Sequence, residues 1–116
     1  MSPEVKPTML AGVRECPIDD ALTVVGDRWS LLVVREIGFG VTRFNDIARH
    51  TGMARDRLAS RLRSLETAGI IRREQYNERP PRHEYLLTES GRGLLPVLDA
   101  LRRWGDMMPH GAPATP

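Results

Sequence analysis

Apolar residues recur at helical spacing in four successive segments, give way to two short strand-like runs, and end in a last helical stripe. Pro17 suits a first helical position, Asp19 and Asp20 complement the positive end of a helix dipole, and Gly26 follows as a stop, which predicts a first helix. Trp29, Leu32, Val33 and Ile37 lie at i, i+3, i+4 and i+8. They mark the inner face of a second helix that begins after Asp27 and ends at Gly38. Thr42 is placed to cap a third helix that turns Phe44, Ile47 and Ala48 inward, with Gly52 as terminator. A fourth helix over about 54–68 carries Leu58, Leu62 and Leu65 at i, i+4 and i+7 before Gly69. Two helices joined by a short glycine turn have the spacing of a helix-turn-helix.

Ile70 and Ile71 lead a polar run to Tyr76 that predicts one strand, and His83 to Leu87 predicts another. Between them, Asn77-Glu78-Arg79-Pro80-Pro81-Arg82 holds two prolines, which cannot donate ladder hydrogen bonds and so belong to the loop of a hairpin. Thr88 then caps a long helix striped by Leu94, Leu98, Leu101, Trp104 and Met108. Pro96 inside it should kink or divide it, because its ring conflicts with the carbonyl of Arg92. The expected fold is mainly α with a small β-hairpin, a winged helix-turn-helix over residues 14–108. Proline-containing segments at 1–13 and 109–116 are expected to form a flexible arm and tail.

A chain of 116 residues is one domain, with a foldable part of about 95 residues. Such a domain hides only about two-thirds of its unfolded surface, so a partner subunit would help, and the stripe Leu98, Leu101, Trp104 and Met108 is the candidate contact. No apolar run approaches the ~20 residues needed to cross a bilayer, and no secretion signal opens the chain, which predicts a cytoplasmic protein without a membrane partner. Cys16 is the only cysteine, and the three histidines are scattered, so no metal-ligand spacing is present. Gly-rich phosphate cradles, GxSxG elbows and HExxH helices are missing too, and neither a cofactor nor an enzyme activity is expected.

Charge changes the picture more. Residues 43–83 hold ten of the seventeen basic residues and five of the fifteen acidic ones, so that window carries +5 and the remainder −3. All ten cations are arginine, whose planar fork suits phosphate oxygens and guanine edges better than an ammonium does. Nucleic acid is the partner this asymmetry favours. Rotating the fourth helix by about 100° per residue from a buried Leu58 puts Asp56, Ser60, Arg63, Ser64 and Thr67 opposite, with Arg55, Arg57 and Arg61 on the flanks. Arg55, Arg57, Ser60 and Arg63 are the candidates for base edges, and Arg43, Arg61, Arg79 and Arg82 for phosphates. The bland alternative is a solvated face whose arginines pair with Asp56 and Glu66, beside an ordinary soluble loop. The glycine turn before the helix and the hairpin after it favour DNA.

Two further features admit two readings each. Trp29 and Trp104 are either packing residues or the walls of an effector pocket between subunits, shared with the terminal stripe. Cys16 is either a packing residue or a redox sensor. A helix start and Arg14 favour its thiolate, whereas Glu15, Asp19 and Asp20 oppose it.

Taken in order, these pieces resemble the HxlR-type winged helix-turn-helix transcription regulators of bacteria. The likeness rests on Cys16-Pro17, Gly26-Asp27-Arg28-Trp29-Ser30, Arg43-Phe44-Asn45-Asp46-Ile47 and Leu58 through Glu66 to Gly69. It continues with Pro80-Pro81-Arg82-His83-Glu84-Tyr85, Leu87-Thr88-Glu89-Ser90-Gly91 and Trp104-Gly105. The resemblance implies a homodimer, joined through its first and last helices, that sets two recognition helices in successive major grooves of an inverted-repeat operator in double-stranded DNA. It also implies a response to oxidants, to electrophiles such as quinones and aldehydes, or to small aromatic compounds, several relatives using the cysteine that corresponds to Cys16. Where relatives often have a serine cap on the recognition helix, this chain has Ala54, so a cap worth about 1 kcal/mol is missing unless Asp56 compensates. The expectation is a dimeric transcriptional regulator, a repressor. The competing readings are a winged helix that binds an acidic protein partner without touching DNA and, more remotely, an enzyme with a Cys16 nucleophile, for which no histidine stands in a base-like spacing.

Overall fold

The computed structural model describes residues 16–109; the arm expected over 1–13 and the tail beyond 109 lie outside the described residues. In chain order the elements are α1 (Pro17–Val25), α2 (Arg28–Gly38), α3 (Phe44–Thr51), α4 (Arg55–Thr67), β1 (Ile71–Glu78), β2 (Pro81–Leu87), α5 (Glu89–Arg92) and α6 (Leu95–Asp106). The fold is mainly helical with one antiparallel hairpin, a winged helix-turn-helix. No helix among the described residues is long and apolar enough to cross a membrane.

At the centre lies α2, which packs on α3, α4, β2 and α6. Val33 and Val34 are fully buried and share one core with Ile37, Ile47 of α3, Leu58, Leu62 and Leu65 of α4, and Ile70 and Ile71. Asp27 caps the helix, its Oδ2 accepting the Ser30 N–H at 3.0 Å and its Oδ1 the Ser30 hydroxyl at 2.7 Å. The turn from α3 to α4 pivots on Gly52, whose φ of 75° is left-handed backbone that a side chain would strain.

Several local expectations change. Thr42 does not cap α3; Arg43 occupies the N-cap with no side-chain bond. The open edge of β2 claims Thr42 instead: its carbonyl accepts the Tyr85 N–H at 2.8 Å and its hydroxyl donates to Glu84 Oε1 at 2.9 Å. The hairpin is longer than its composition suggests. Pro81 opens β2 opposite Glu78, since a strand's first position can forgo an N–H, and the turn shrinks to Arg79 and Pro80, joined by a cis peptide bond. Asn77 Nδ2 donates to the Pro80 carbonyl at 3.0 Å across it. A register shift leaves Tyr76 as a bulge between the pairs Gln75–His83 and Asn77–Arg82.

After the wing, Thr88 caps α5 by accepting the Gly91 N–H at 3.1 Å, while its own hydroxyl donates to the Gly69 carbonyl at 2.6 Å. Gly91 is required there: a Cβ would stand 2.1 Å from the Ile70 carbonyl oxygen. Pro96 does divide the terminal helix, and it sits in the first turn of α6, where its missing N–H has no intrahelical partner to lose. The apolar stripe splits accordingly. Leu94 and Leu98 pack on the core, whereas Leu101, Trp104 and Met108 face outward, and no residue of α6 is buried.

Candidate nucleic-acid interface

The leucine seam sets the roll of α4, leaving Asp56, Arg57, Arg63, Ser64 and Thr67 exposed and Ser60 and Arg61 half-buried. Its first turn lacks a side-chain cap at Ala54, but Asp56 Oδ1 accepts the Arg57 N–H at 2.8 Å, so one orphan donor is satisfied from inside the helix. A carboxylate at this end also complements the dipole. Asp56 thus supplies part of what the absent cap would have supplied.

The arginines divide into three groups. Arg43, Arg55 and Arg57 lie over aromatic rings: Arg43 Cζ is 4.0 Å from the centre of Tyr76, Arg55 is 4.8 Å from Phe44, and Arg57 is 5.8 Å from Trp29, which also carries Arg28 at 4.9 Å. Arg55 is fixed further by donating from Nη1 to Asn45 Oδ1 at 2.9 Å. Arg49 and Arg72 are spent on neighbours, pairing with Asp46 at 2.6 Å and Glu74 at 2.8 Å, and Arg61 lies 3.5 Å from Asp27. The side chains of Arg63, Arg73, Arg79 and Arg82 form no ion pair or hydrogen bond among the described residues, and all four are exposed. Asp56 and Glu66, the carboxylates that a self-neutralising face would use, pair with no guanidinium among the described residues.

Trp29 stands at the head of α2 and, with Asp27, Ala54, Asp56, Arg57, Ser60 and Arg61, lines an open hollow of about 710 Å³. It is half-buried against the core, whereas Trp104 is 62% exposed on α6 with Leu101, and Met108 is exposed just beyond the helix. Cys16 is the half-buried N-cap of α1, its carbonyl accepting the Asp20 N–H at 3.1 Å. No cluster of three metal-ligating side chains occurs among the described residues. The holders of the arginines, namely Phe44, Asn45, Tyr76 and Asp27, are the part of this surface that spacing alone did not reveal.

Asp27 joins the two helices at this surface. Burial pushes its carboxyl up, but the Ser30 hydroxyl and N–H and then the Arg61 guanidinium outweigh that and hold it below the ordinary 3.8. A depressed carboxyl stabilises the fold fully above its unfolded value, and this stabilisation disappears as pH falls through the lower folded one. Asp27→Ala should therefore cost about 1 kcal/mol near neutral pH. In denaturant titrations the gap from wild type should close as pH falls below 3.8 and through the lower folded value; a gap that is the same at neutral and at acid pH would contradict this role.

A model of the HxlR-like helix-turn-helix family matches residues 24–111. Rv3095 of Mycobacterium tuberculosis, an uncharacterized HTH-type transcriptional regulator, is 48% identical over 96 residues, which cover 80% of this chain and 61% of that protein. The chain thus spans about three-fifths of the length of this mycobacterial relative. The solved structure of PA1607 superposes with a TM-score of 0.73 at 39% identity, covering 88% of this chain and 70% of that one. The redox regulator HypR in its oxidized form gives 0.69 at 36% identity, covering 81% and 98%. The chain belongs to the HxlR-like helix-turn-helix family, a family of regulators and not of enzymes.

Proposed function

We propose that the protein is a sequence-specific DNA-binding transcriptional regulator, acting as a repressor and as a homodimer on an inverted repeat. One observation carries the DNA reading: the exposed faces of α4 and the wing present arginines that their own acidic neighbours leave unneutralised. The leading turns of α4 would enter the major groove with Arg55, Arg57, Ser60 and Arg63 toward the bases. Arg43 and Arg61 beside them, and Arg79 and Arg82 on the wing, would meet phosphates. Affinity should fall with salt by a log–log slope of about −0.9 for each phosphate neutralised. Arg63→Ala should cost roughly 1–3 kcal/mol and relax the preference at one base, whereas Arg79→Ala should weaken all sequences alike and reduce the slope by about 1. Gel shifts over a salt series, with duplexes selected from a random pool, check both. Binding that ignores salt, or identical effects from the two substitutions, would overturn the assignment, and capture of an acidic protein in place of duplex would favour an interaction module.

The dimer reading is supported by apolar side chains left outward on α1 and α6, among them Ile18 at 70% exposure, Leu22, Leu101 and Trp104, with Met107 just beyond α6. Pairing copies through these faces would cover them. Leu22→Asp with Trp104→Asp should turn a sedimenting dimer into a folded monomer; an unchanged mass would exclude these faces as the contact.

The trigger we infer is an oxidant or electrophile acting on Cys16. Its place at the head of α1 and the likeness to HypR, a redox regulator, support this. Oxidation would join its sulfur to another thiol, two protons and two electrons passing to the oxidant. Diamide should weaken operator binding by the wild type and leave Cys16→Ser unaffected. Equal responses would remove Cys16 as the sensor. The competing trigger is a small aromatic molecule near Trp29 and Trp104, which tryptophan fluorescence would report.

A further inference from the structure

We propose that Tyr76 is a positioning residue of the DNA-contact surface, holding Arg43 against a phosphate and locking the wing to the helix-turn-helix. The inference rests on the DNA reading above and adds a residue that carries no charge and no hydrogen-bonding role in that reading.

Three observations converge on it. Tyr76 is the extra residue of the β-bulge, unpaired between Gln75–His83 and Asn77–Arg82. Bulges bend a strand and re-aim a side chain, and here the ring comes to lie beneath the Arg43 guanidinium at 4.0 Å, the shortest of the four arginine–ring contacts. Thr42, the preceding residue, is already bonded to β2 through Glu84 and Tyr85. Thr42 thus holds β2, and the Arg43–Tyr76 contact holds β1, so the head of α3 is tied to both strands of the wing.

The chemistry suits a phosphate clamp. A guanidinium stacked on a ring is held in one orientation while its edge donors stay available, and Arg43 is exposed, with no carboxylate partner among the described residues. Ordering that long side chain before DNA arrives removes part of the entropy cost of binding. Three residues further on, Arg79 sits at the wing tip, so the same contact sets the angle at which the tip meets the duplex.

The test uses duplex selected by the wild-type protein from a random pool, with salt-series gel shifts for Tyr76→Phe, Tyr76→Leu, Arg43→Ala and Arg43→Ala with Tyr76→Leu. Thermal melts run alongside. Phenylalanine keeps the ring face and should bind as wild type does. Leucine keeps apolar bulk without the ring, and should weaken binding roughly twofold to fivefold and reduce the salt slope by about 1, as Arg43→Ala does. In the Arg43→Ala background the leucine substitution should add nothing further. Wild-type affinity and slope in Tyr76→Leu would overturn the inference while leaving the DNA reading intact. So would an undiminished penalty in the double variant, which would mean that the ring touches DNA itself. If the wild type retains no duplex from the pool, the DNA reading falls and this inference with it.

Discussion

Which side of α4 meets solvent is decided by one apolar seam, in which Leu58, Leu62 and Leu65 share a core with Val33, Val34 and Ile47. Rolling the helix by one residue, about 100°, would bring Ala59, Arg63 and Glu66 to those places. Truncating a single buried leucine costs about 2–5 kcal/mol, and burying an unpaired charge costs several more. An exposed arginine–ring contact is worth only about 0.5–1 kcal/mol. The seam therefore dominates, and the arrangement of arginines on the far side follows from where the leucines fall.

That comparison also explains why the surface charges look as they do. Exposed ion pairs contribute about 0–1 kcal/mol, so leaving Arg63, Arg79 and Arg82 without carboxylate partners costs the fold little. Stacking Arg43, Arg55 and Arg57 on Tyr76, Phe44 and Trp29 orders the guanidiniums without neutralising them. An ammonium has neither the planar face for this nor the fork for bidentate donation, which gives a physical reason for ten arginines and no lysine between residues 43 and 83. Like Asp46 with Arg49 and Glu74 with Arg72, Asp27 moderates an arginine, Arg61, yet its principal bonds go to Ser30 at the head of α2.

The helices were legible because each carries one apolar period and a local stop, as with Leu58, Leu62 and Leu65 before Gly69, and Pro96 announced the break before α6. The wing was less so. Its strands are polar without alternation, so neither their ends nor the bulge at Tyr76 leaves a trace in the pattern, and Pro81 looked like loop because nothing local marks it as a strand's first residue. Thr42 has the composition of a cap; its real partner is β2, a choice made by a sheet edge distant in sequence. The arginines of the candidate surface could be named from spacing, but Tyr76 and Asn45 could not, since their pairing with Arg43 and Arg55 exists only once the wing and α3 are assembled. Likewise the terminal stripe was visible as a stripe, while its division into Leu94 and Leu98 on the core and Leu101 and Trp104 outside depends on where α2 ends.

Routing of the chain after the wing keeps the basic surface open. Gly91 lets α5 come against the Ile70 carbonyl, and Thr88 ties the same place to Gly69, so the backbone leaves β2 beside the end of α4 and not across its face. From there α6 packs on α2, with Leu95 close to Gly38. Most of the outward apolar residues, among them Ile18, Leu22, Leu101 and Trp104, lie on α1 and α6, elements that hold none of the arginines assigned to DNA. Copies paired through those helices would bury hydrophobic area without competing for Arg55, Arg57 or Arg63, so assembly and groove insertion place demands on separate parts of the sequence. A substitution that weakens one would then leave the other intact, which is the physical condition for adjusting the basic surface without disturbing such a pairing.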